Sequence, residues 1–369
     1  MEPVKDDVLY MSLALSLAMK SRPSPNPRVG AVLVKNGRVI GQGFHTAPGK
    51  PHAEIEAFND ALRAGEPVSG ATIYVTLEPC CHQGRTGPCT VEIINSGITR
   101  VVVGIPDPDP KVGGGGIEAL RSNGIQVDVG ILEDECRQLL DAYIFQRTHC
   151  RPMIHLKAAM TLDGYIADSK GSSKWITGPD ARAKGHALRA YHDAVMVGIG
   201  TVLADNPTLN VRDAQGINPT RLILDSTLRI PLEANLLSTP SIGEVIIFHG
   251  PDAPPAKKAS LESLQNVSLR ECHCHDVGLD VPDVVKHLKQ LDFLGVLIEG
   301  GSSVHGAFIR AKYADVLSLF IAPMILGSGI PWTTLPAGIP MHEAISLRPE
   351  SIHTTQIQHD TLIEGKFNW

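Results

Sequence analysis

Four residues in one short stretch have the types and spacing for hydrolytic chemistry. His52 and Glu54 lie in His52-Ala53-Glu54, Cys80 closes Thr76-Leu77-Glu78-Pro79-Cys80, and Cys89 follows Gly87-Pro88. One imidazole and two thiolates are a ligand set that zinc accepts. Three protein ligands leave a fourth coordination position open for water, which is the arrangement of a catalytic site rather than a closed structural one. Water held in that position has a pKa near ~7 and becomes usable as hydroxide at neutral pH. Glu54 is not needed as a ligand; two residues past His52, its carboxylate is placed to carry protons between that water and a leaving amine. Taken singly, each Cys or His reads as an ordinary core or surface residue. Their order within one segment raises them above that.

His-x-Glu followed by Pro-Cys is the signature of zinc-dependent nucleobase deaminases, whose general pattern ends Pro-Cys-x-x-Cys. Here the second and third ligands are nine apart, with Cys81-His82-Gln83-Gly84-Arg85-Thr86-Gly87-Pro88 between them. Cys81 is adjacent to Cys80 and cannot easily share its metal. This longer loop, together with Pro25-Asn26-Pro27-x-Val29-Gly30, Gly43-x-His45 and the two ligand motifs, closely resembles one family, the bifunctional pyrimidine deaminase/reductase of riboflavin biosynthesis. The resemblance continues through Lys157-x-Ala159, Ser173-x-Trp175-Ile176, Gly198-x-Gly200-Thr201-x-x-x-Asp205-Asn206-Pro207 and Glu299-Gly300-Gly301, which look like that family's reductase half. It covers nearly the whole chain. Cys81 stands where the family often has Ser, and Gly87 where Pro is common.

The resemblance implies zinc on His52, Cys80 and Cys89, with Glu54 as proton shuttle. Asn26, His45, His82 and Arg85 match positions that contact the pyrimidine or its ribose phosphate, and a guanidinium such as that of Arg85 can bond two phosphate oxygens at once. In the second half the implied cofactor is NADPH, at Ala159, Trp175, Thr201, Asp205, Ser226, Gly301, Ser302 and Ser303. Ser173, Arg189, Leu209, Arg212 and Glu299 match substrate positions. The implied chemistry is two steps on one small phosphorylated pyrimidine. Hydrolysis removes the 2-amino group of a diaminopyrimidinone ribosylamine phosphate as ammonia, leaving a uracil. NADPH then reduces the ribosyl chain to a ribityl chain. A homo-oligomer, dimer or tetramer, in the cytoplasm is expected.

The elements that must position these residues read as follows. Asp7 to Met19 has helical apolar spacing, and the prolines after Ser21 make a rigid loop. Val29 to Val34 and Arg38 to Gly43 are strands joined by a hairpin turn at Asn36-Gly37. His52 to Ala64 is a helix with the ligand and Glu54 in its first turn. The strand Ala71 to Thr76 leads through Pro79-Cys80 into a helix reaching Ser96, so both ligand groups are expected at helix starts, where the dipole favours thiolate. Arg100 to Gly104 is a buried strand, and Gly113 to Gly116 reads as a flexible turn rather than a phosphate cradle. A helix from Ile117, a strand from Ile125 and a helix from Glu133 to Gln146 close this half.

In the second half, strands are expected at Met153–Ala159, Ala194–Gly198, Arg221–Leu224, Val245–Phe248, Val296–Glu299, Val316–Ala322 and near the tail, with helices over Asp180–Tyr191 and up to Ala311, in alternating β and α units. Gly198-x-Gly200 alone is a weak signal that lacks the third glycine of the dinucleotide fingerprint. Glycines at 300 and 301 would let backbone N–H groups at a helix start face a phosphate. The expected fold class is α/β in both halves. The resemblance implies an N-terminal cytidine-deaminase-like α/β/α zinc domain over 1–147 and a C-terminal dihydrofolate-reductase-like α/β domain over 148–369.

Bulk properties agree with two folded domains. The chain has 369 residues, 43% hydrophobic and 20% charged, enough for a proper core in each half. No apolar run approaches the ~20 residues needed to span a bilayer, and the acidic N-terminus lacks the basic region of a signal peptide. Seven cysteines without framework spacing fit a reducing compartment better than a disulfide scaffold. Two competing readings are a nucleic-acid base deaminase with an RNA-binding C-terminal half, and a non-catalytic zinc scaffold. The first needs basic clusters and aromatic stacking platforms, against a net charge of −6 and 5% aromatic residues. The second leaves Glu54 beside an open metal position unexplained.

Overall fold

The computed structural model describes residues 5–82, 87–109, 113–275, 278–335 and 339–369. The chain divides into two compact units, Met1–Cys150 and Arg151–Trp369.

Unit 1 runs α1 (Lys5–Ala18), β1 (Gly30–Lys35), β2 (Arg38–Phe44), α2 (Ala53–Arg63), β3 (Thr72–Leu77), α3 (Cys89–Asn95), β4 (Arg100–Ile105), α4 (Gly115–Ser122), β5 (Gln126–Val129), α5 (Glu133–Leu139) and α6 (Asp141–His149). Its sheet has the order β2-β1-β3-β4-β5. The β1–β2 hairpin turns at Asn36 and Gly37, both at positive φ, as an Asn-Gly two-residue turn requires. β3, β4 and β5 run parallel, and the apolar runs of β3 and β4 are buried as central strands covered on both faces must be. Gly41 and Gly43 decide how the site is held. A Cβ at either would collide with the backbone of Ala57 or Ala53, so bare backbone here lets α2 lie directly on β2. α1 is anchored by Asp7, whose carboxylate takes both guanidinium ends of Arg100 at 2.8 and 2.9 Å and the Tyr74 hydroxyl at 2.7 Å.

Three expectations for this unit need correction. Cys80 does not enter a helix: it lies in the loop after β3, and α3 begins only at Cys89. The helix expected over Glu133–Gln146 breaks in two at Leu140, whose φ −102 and ψ 7 leave the helical region. Gly113–Gly116 is not a free turn. It leads directly into α4, and its N–H groups already hold an anion, the Glu78 carboxylate.

Unit 2 runs β6 (Met153–Thr161), β7 (Tyr165–Ala167), α7 (Pro179–Tyr191), β8 (Ala194–Gly198), α8 (Ile199–Asp205), β9 (Thr220–Leu224), β10 (Val245–His249), α9 (Pro255–Glu262), β11 (Val267–Glu271), β12 (Cys274–His275), β13 (Gly278–Leu279), α10 (Val281–Gln290), β14 (Gly295–Gly300), α11 (Ser302–Arg310), β15 (Val316–Ala322), β16 (Ile330–Pro331), β17 (His353–Ile357) and β18 (Asp360–Lys366). The main sheet has nine strands in the order β11-β10-β9-β8-β14-β6-β15-β18-β17. From β11 to β15 neighbours are parallel, while β18 and β17 are antiparallel. The tail therefore ends the sheet as a hairpin rather than as another β-α unit. Strand alternation builds two cores. Met196, Leu222, Ile246 and Phe248 point into one, and Val195, Val197, Ile223, Val245 and Ile247 into the other.

Candidate functional site

In unit 1 the three expected ligands meet. His52 immediately precedes α2 with extended backbone, φ −72 and ψ 167, which turns its ring back toward the loop after β3. Its Nδ1 lies 3.5 Å from Cys80 Sγ and 3.3 Å from Cys89 Sγ. All three donors fall within 4.8 Å of one another. Ligands on one tetrahedral zinc, at bond lengths of ~2.0–2.3 Å, sit about 3.6 Å apart, so this donor set fits zinc both in chemistry and in spacing. The first N–H of α3, on Cys89, donates to Cys80 Sγ at 3.4 Å. The helix start thus favours the Cys80 thiolate through space, although Cys80 is not in the helix. Hydrogen bonds from Cys89 and then His52 draw the Cys80 thiol down to about 4, against burial. Its partner Cys89 is pushed up by its bond to Cys80 and by burial.

Glu54 sits in the first turn of α2 and is only 3% exposed. Burial, with the Cys80 charge next, lifts its carboxyl to about 7. His45 is buried beside it. Its Nδ1 donates to the Pro51 carbonyl at 3.0 Å, which leaves Nε2 to accept from the Asn26 amide at 2.9 Å. The His45 and His52 rings meet edge to face with centroids 5.2 Å apart. Asn26, His45, His52, Glu54, Cys80 and His82 line one cavity of about 380 Å³. Arg85 lies outside the described residues, as do Gln83, Gly84 and Thr86.

Sequence reasoning missed the far wall of this cavity. Asp107, Asp109, Tyr143 and Arg147 line it as well, with the Tyr143 hydroxyl on Asp107 at 3.3 Å and the Arg147 guanidinium 4.9 Å above the Tyr143 ring. Glu78 holds that wall in place. Its two carboxylate oxygens accept from the N–H groups of Asp107 (3.0 Å), Gly114 (2.9 Å), Gly116 (2.8 Å) and Ile117 (3.0 Å). Gly114 needs its positive φ of 82 to aim its N–H inward. The signal was present as a Glu inside the ligand motif and a glycine run thirty-odd residues on, but nothing in sequence pairs the two.

In unit 2 the expected positions gather near the carboxyl ends of the parallel strands, where open α/β sheets bind ligands. α8 starts from the end of β8 and α11 from the end of β14. Gly301 caps α11 without a side-chain hydrogen bond, so the first N–H groups of that helix are presented bare. A Cβ on Gly300 or Gly301 would meet the Thr201 hydroxyl at 3.6 or 3.5 Å. Thr201 in α8 therefore stands beside the Gly300–Gly301 turn that leads into Ser302 and Ser303 of α11, and the Ser302 hydroxyl bonds Thr334 at 2.5 Å. These bare turns at a strand-end edge fit the phosphates of a dinucleotide. Ser173 donates to Asp205 Oδ1 at 3.1 Å. Trp175 is 60% exposed, with the Arg182 guanidinium 4.3 Å from its ring centre. Ala159 lies near the end of β6, and the Ser226 carbonyl just past β9 accepts from Gly250 N–H at 2.8 Å.

The substrate positions form a chain of charges. Arg189 grips Glu299 with two bonds of 2.6 Å and donates to the Asn210 carbonyl at 2.9 Å. His186 also reaches that carbonyl, at 3.1 Å, and lies 3.3 Å from Asp213, which is 3.6 Å from Arg212. Burial alone would raise Glu299, but the Arg189 guanidinium overrides it and holds the carboxyl at about 2. Leu209 is placed differently: its side chain belongs to the hydrophobic core. Lys157 was noted in sequence without a role. It stands on β6 with its ammonium 5.5 Å from the Phe320 ring centre, and burial lowers its pKa.

Two family models divide the chain between them. That for the cytidine and deoxycytidylate deaminase zinc-binding region matches residues 4–105, and that for the RibD C-terminal domain matches 152–363. The riboflavin biosynthesis protein RibD of Aquifex aeolicus is 44% identical over 88% of this chain and 89% of its own length. Among solved structures, Acinetobacter baumannii RibD superposes with a TM-score of 0.81 at 34% identity, covering 99% of both chains. The diaminohydroxyphosphoribosylaminopyrimidine deaminase/5-amino-6-(5-phosphoribosylamino)uracil reductase of Thermotoga maritima does so at 0.80 and 37%, covering 98% of this chain and 99% of its own. With a zinc-type donor set in one unit and a reductase sheet in the other, the chain belongs to the RibD family and is a bifunctional deaminase and reductase of riboflavin biosynthesis that uses zinc and NADPH.

Proposed function

We propose that unit 1 carries the deaminase and unit 2 the reductase, with the residues in the roles that follow. The observation that carries this reading is the meeting of His52, Cys80 and Cys89 beside a buried Glu54 in one cavity. His52, Cys80 and Cys89 would hold zinc, which when bound supplies the Lewis acidity that makes water nucleophilic at neutral pH. Glu54 would accept a proton from the attacking water and pass it to the departing amine. Asn26 and His45 act as a fixed pair, because the Pro51 carbonyl sets the His45 tautomer, and present polar edges to the pyrimidine. His82 and Arg85 serve the ribose phosphate end. The Glu78 cradle holds the Asp107 wall of the cavity in place.

In unit 2 NADPH would supply the hydride. Thr201, Gly301, Ser302 and Ser303 hold it at the strand-end turns, with Ala159, Trp175, Asp205 and Ser226 around it. Glu299, kept ionised by Arg189, binds substrate hydroxyls, and Ser173 and Arg212 bind its polar end. Leu209 contributes through the backbone it fixes, since its side chain is in the core. The small phosphorylated pyrimidine is the partner of both units.

The chain also works as a cytoplasmic homo-oligomer. Apolar side chains exposed between 324 and 352, among them Ile325 and Met341, together with the uncovered edge strand β17, support association of identical chains. Among the described residues no helix is long and apolar enough to cross a membrane.

The two-activity assignment is tested by supplying the diaminopyrimidinone ribosylamine phosphate with and without NADPH and following ammonia and NADPH separately. Ammonia should appear without NADPH, and NADPH should be consumed on the deaminated product. Ammonia release that required NADPH would overturn the division of labour. Sedimentation of the purified chain as a monomer at micromolar concentration would overturn the oligomer.

A further inference from the structure

A second group of metal donors stands in unit 2, made of residues that have no role above. The chain reads Glu271-Cys272-His273-Cys274-His275 as it leaves β11. α10 follows, with Asp283 in its first turn and His287 four residues on, so both project from one helix face. Donor atoms of Cys272, Asp283 and His287 all lie within 4.8 Å of one another.

The bland account of each residue falls short. Cys272 is buried and counts as a small core side chain, yet its sulfur faces a carboxylate and an imidazole. Asp283 is only 12% exposed, and among the described residues it is bonded to no Lys or Arg. It is held instead by His273, through the backbone N–H at 2.9 Å and the ring at 2.8 Å. His287 donates from Nε2 to the Glu271 carbonyl at 3.0 Å, which fixes the tautomer and leaves the lone pair on Nδ1. A ligating His whose other nitrogen is tied to a backbone carbonyl, and a ligating carboxylate that is itself hydrogen-bonded, are the outer arrangements of protein metal sites.

We propose that Cys272, Asp283 and His287 form a second divalent-cation site, distinct from the His52-Cys80-Cys89 set, that clamps the exit of β11 to the start of α10. One thiolate, one imidazole and one carboxylate are borderline donors that select zinc-class ions over calcium or magnesium. Cys272 loses its proton on binding, as a metal-held thiol must. Asp283 and His287 are half-buried, which leaves solvent a route for the ion and for a fourth ligand. β11 is the edge strand of the nine-stranded sheet, so the clamp would secure the margin of the sheet. It takes no part in either reaction.

Cobalt(II) titration of the full-length chain tests this. In a Cys80→Ser/Cys89→Ser background, about one equivalent of cobalt should bind with a sulfur-to-metal charge-transfer band in the near ultraviolet. Adding Cys272→Ser should abolish the band, while adding Cys274→Ser should leave it. Because Cys272 is buried and its replacement could unfold the edge, His287→Gln is the second variant, and it should weaken cobalt binding at least ~10-fold with an unchanged circular dichroism spectrum. Elemental analysis of the zinc-replete wild-type chain should give about two zinc per chain, one of which survives Cys89→Ser. A folded Cys80→Ser/Cys89→Ser chain with no thiolate band, or a His287→Gln variant that binds cobalt as before, overturns the site.

Discussion

Unit 1 draws its metal donors and Glu54 from a stretch of fewer than forty residues, His52 to Cys89, with the donors packed to within 4.8 Å. The site proposed for unit 2 draws on strand ends and turns whose members run from Ala159 to Ser303, and its charged core is one Arg189–Glu299 pair with 2.6 Å bonds. The difference follows from what each reaction asks of the chain. Deamination needs a metal and a proton carrier, which particular side chains must supply. Hydride transfer is the cofactor's own chemistry, so the protein supplies a surface, and backbone serves as well as side chains. Single substitutions should therefore act as switches in unit 1 and as graded weakenings in unit 2.

The largest effect is expected at the donors. Cys89→Ser or Cys80→Ser should lose the zinc of that set and with it at least ~10³-fold in ammonia release, since a metal's charge stabilisation is worth several kcal/mol. NADPH oxidation on the already deaminated substrate should stay within about twofold, because unit 2 has its own core. A zinc content in either variant undiminished from that of the wild-type chain, measured by elemental analysis, would break the contrast. Cys81→Ser should keep its zinc and its activity.

Next comes Glu54→Gln, which keeps the size of the side chain but cannot exchange protons. Zinc should remain, ammonia release should fall at least ~10²-fold, and NADPH consumption on the deaminated substrate should persist. Near-normal deamination would remove Glu54 from the mechanism. A folded variant that could no longer oxidise NADPH would point to one shared site.

How far the two sites could be read in sequence follows the same contrast. That His52, Glu54, Cys80 and Cys89 would come together was legible because metal and proton chemistry admit few residue types. Glu78 sat in the same motif and was not legible, since its partners are N–H groups of Asp107, Gly114, Gly116 and Ile117 that sequence cannot show. The parallel core strands were legible as short apolar runs, such as Ala194–Gly198. The antiparallel pairing of β17 and β18 was not, because strand direction is a long-range outcome. α10 escaped notice despite the capping Asp280 and Pro282 at its start, and the strand-exit cysteines before it were passed over for the same reason. The positions proposed for NADPH came from resemblance alone: glycines and hydroxyls at strand ends have no spacing that demands a cofactor.

A middle-sized effect belongs to the Arg189–Glu299 pair. Glu299→Gln leaves the Arg189 guanidinium buried without its counter-charge, which costs about 3–5 kcal/mol and should lower the melting temperature of unit 2 by on the order of 10 °C. The wild-type pair also has a pH signature. The Glu299 carboxyl is held at about 2, below its unfolded value near ~4.3, so its contribution is complete above that unfolded value and is lost as pH falls toward 2. Glu299→Gln should flatten this acid limb of the stability curve. An unchanged limb would show that the pair is not what the acid range reports. Ammonia release at neutral pH should not change.

The smallest effect is expected at Asp205, and it separates two ways a carboxylate can serve a cofactor surface. Asp205 ends α8 and accepts from the Ser173 hydroxyl at 3.1 Å. The next residue, Asn206, turns the chain at φ 42 and ψ 55 and ties the turn to Asn235 through two bonds of 2.8 Å, so the backbone should survive loss of the Asp205 side chain. A half-exposed hydrogen bond of this kind contributes about 0.5–1.5 kcal/mol, and Asp205→Ala should raise the NADPH KM by about 2–10-fold with ammonia release untouched. Asp205→Asn discriminates the roles. The amide oxygen can still accept from Ser173, so a recovered KM means that Asp205 acts by fixing the 173–175 segment. A KM that stays raised means that its charge meets the cofactor directly. If neither substitution moved the KM, Asp205 would have no part in the cofactor surface, and the graded behaviour expected of unit 2 would rest on the Gly300–Ser302 turn alone.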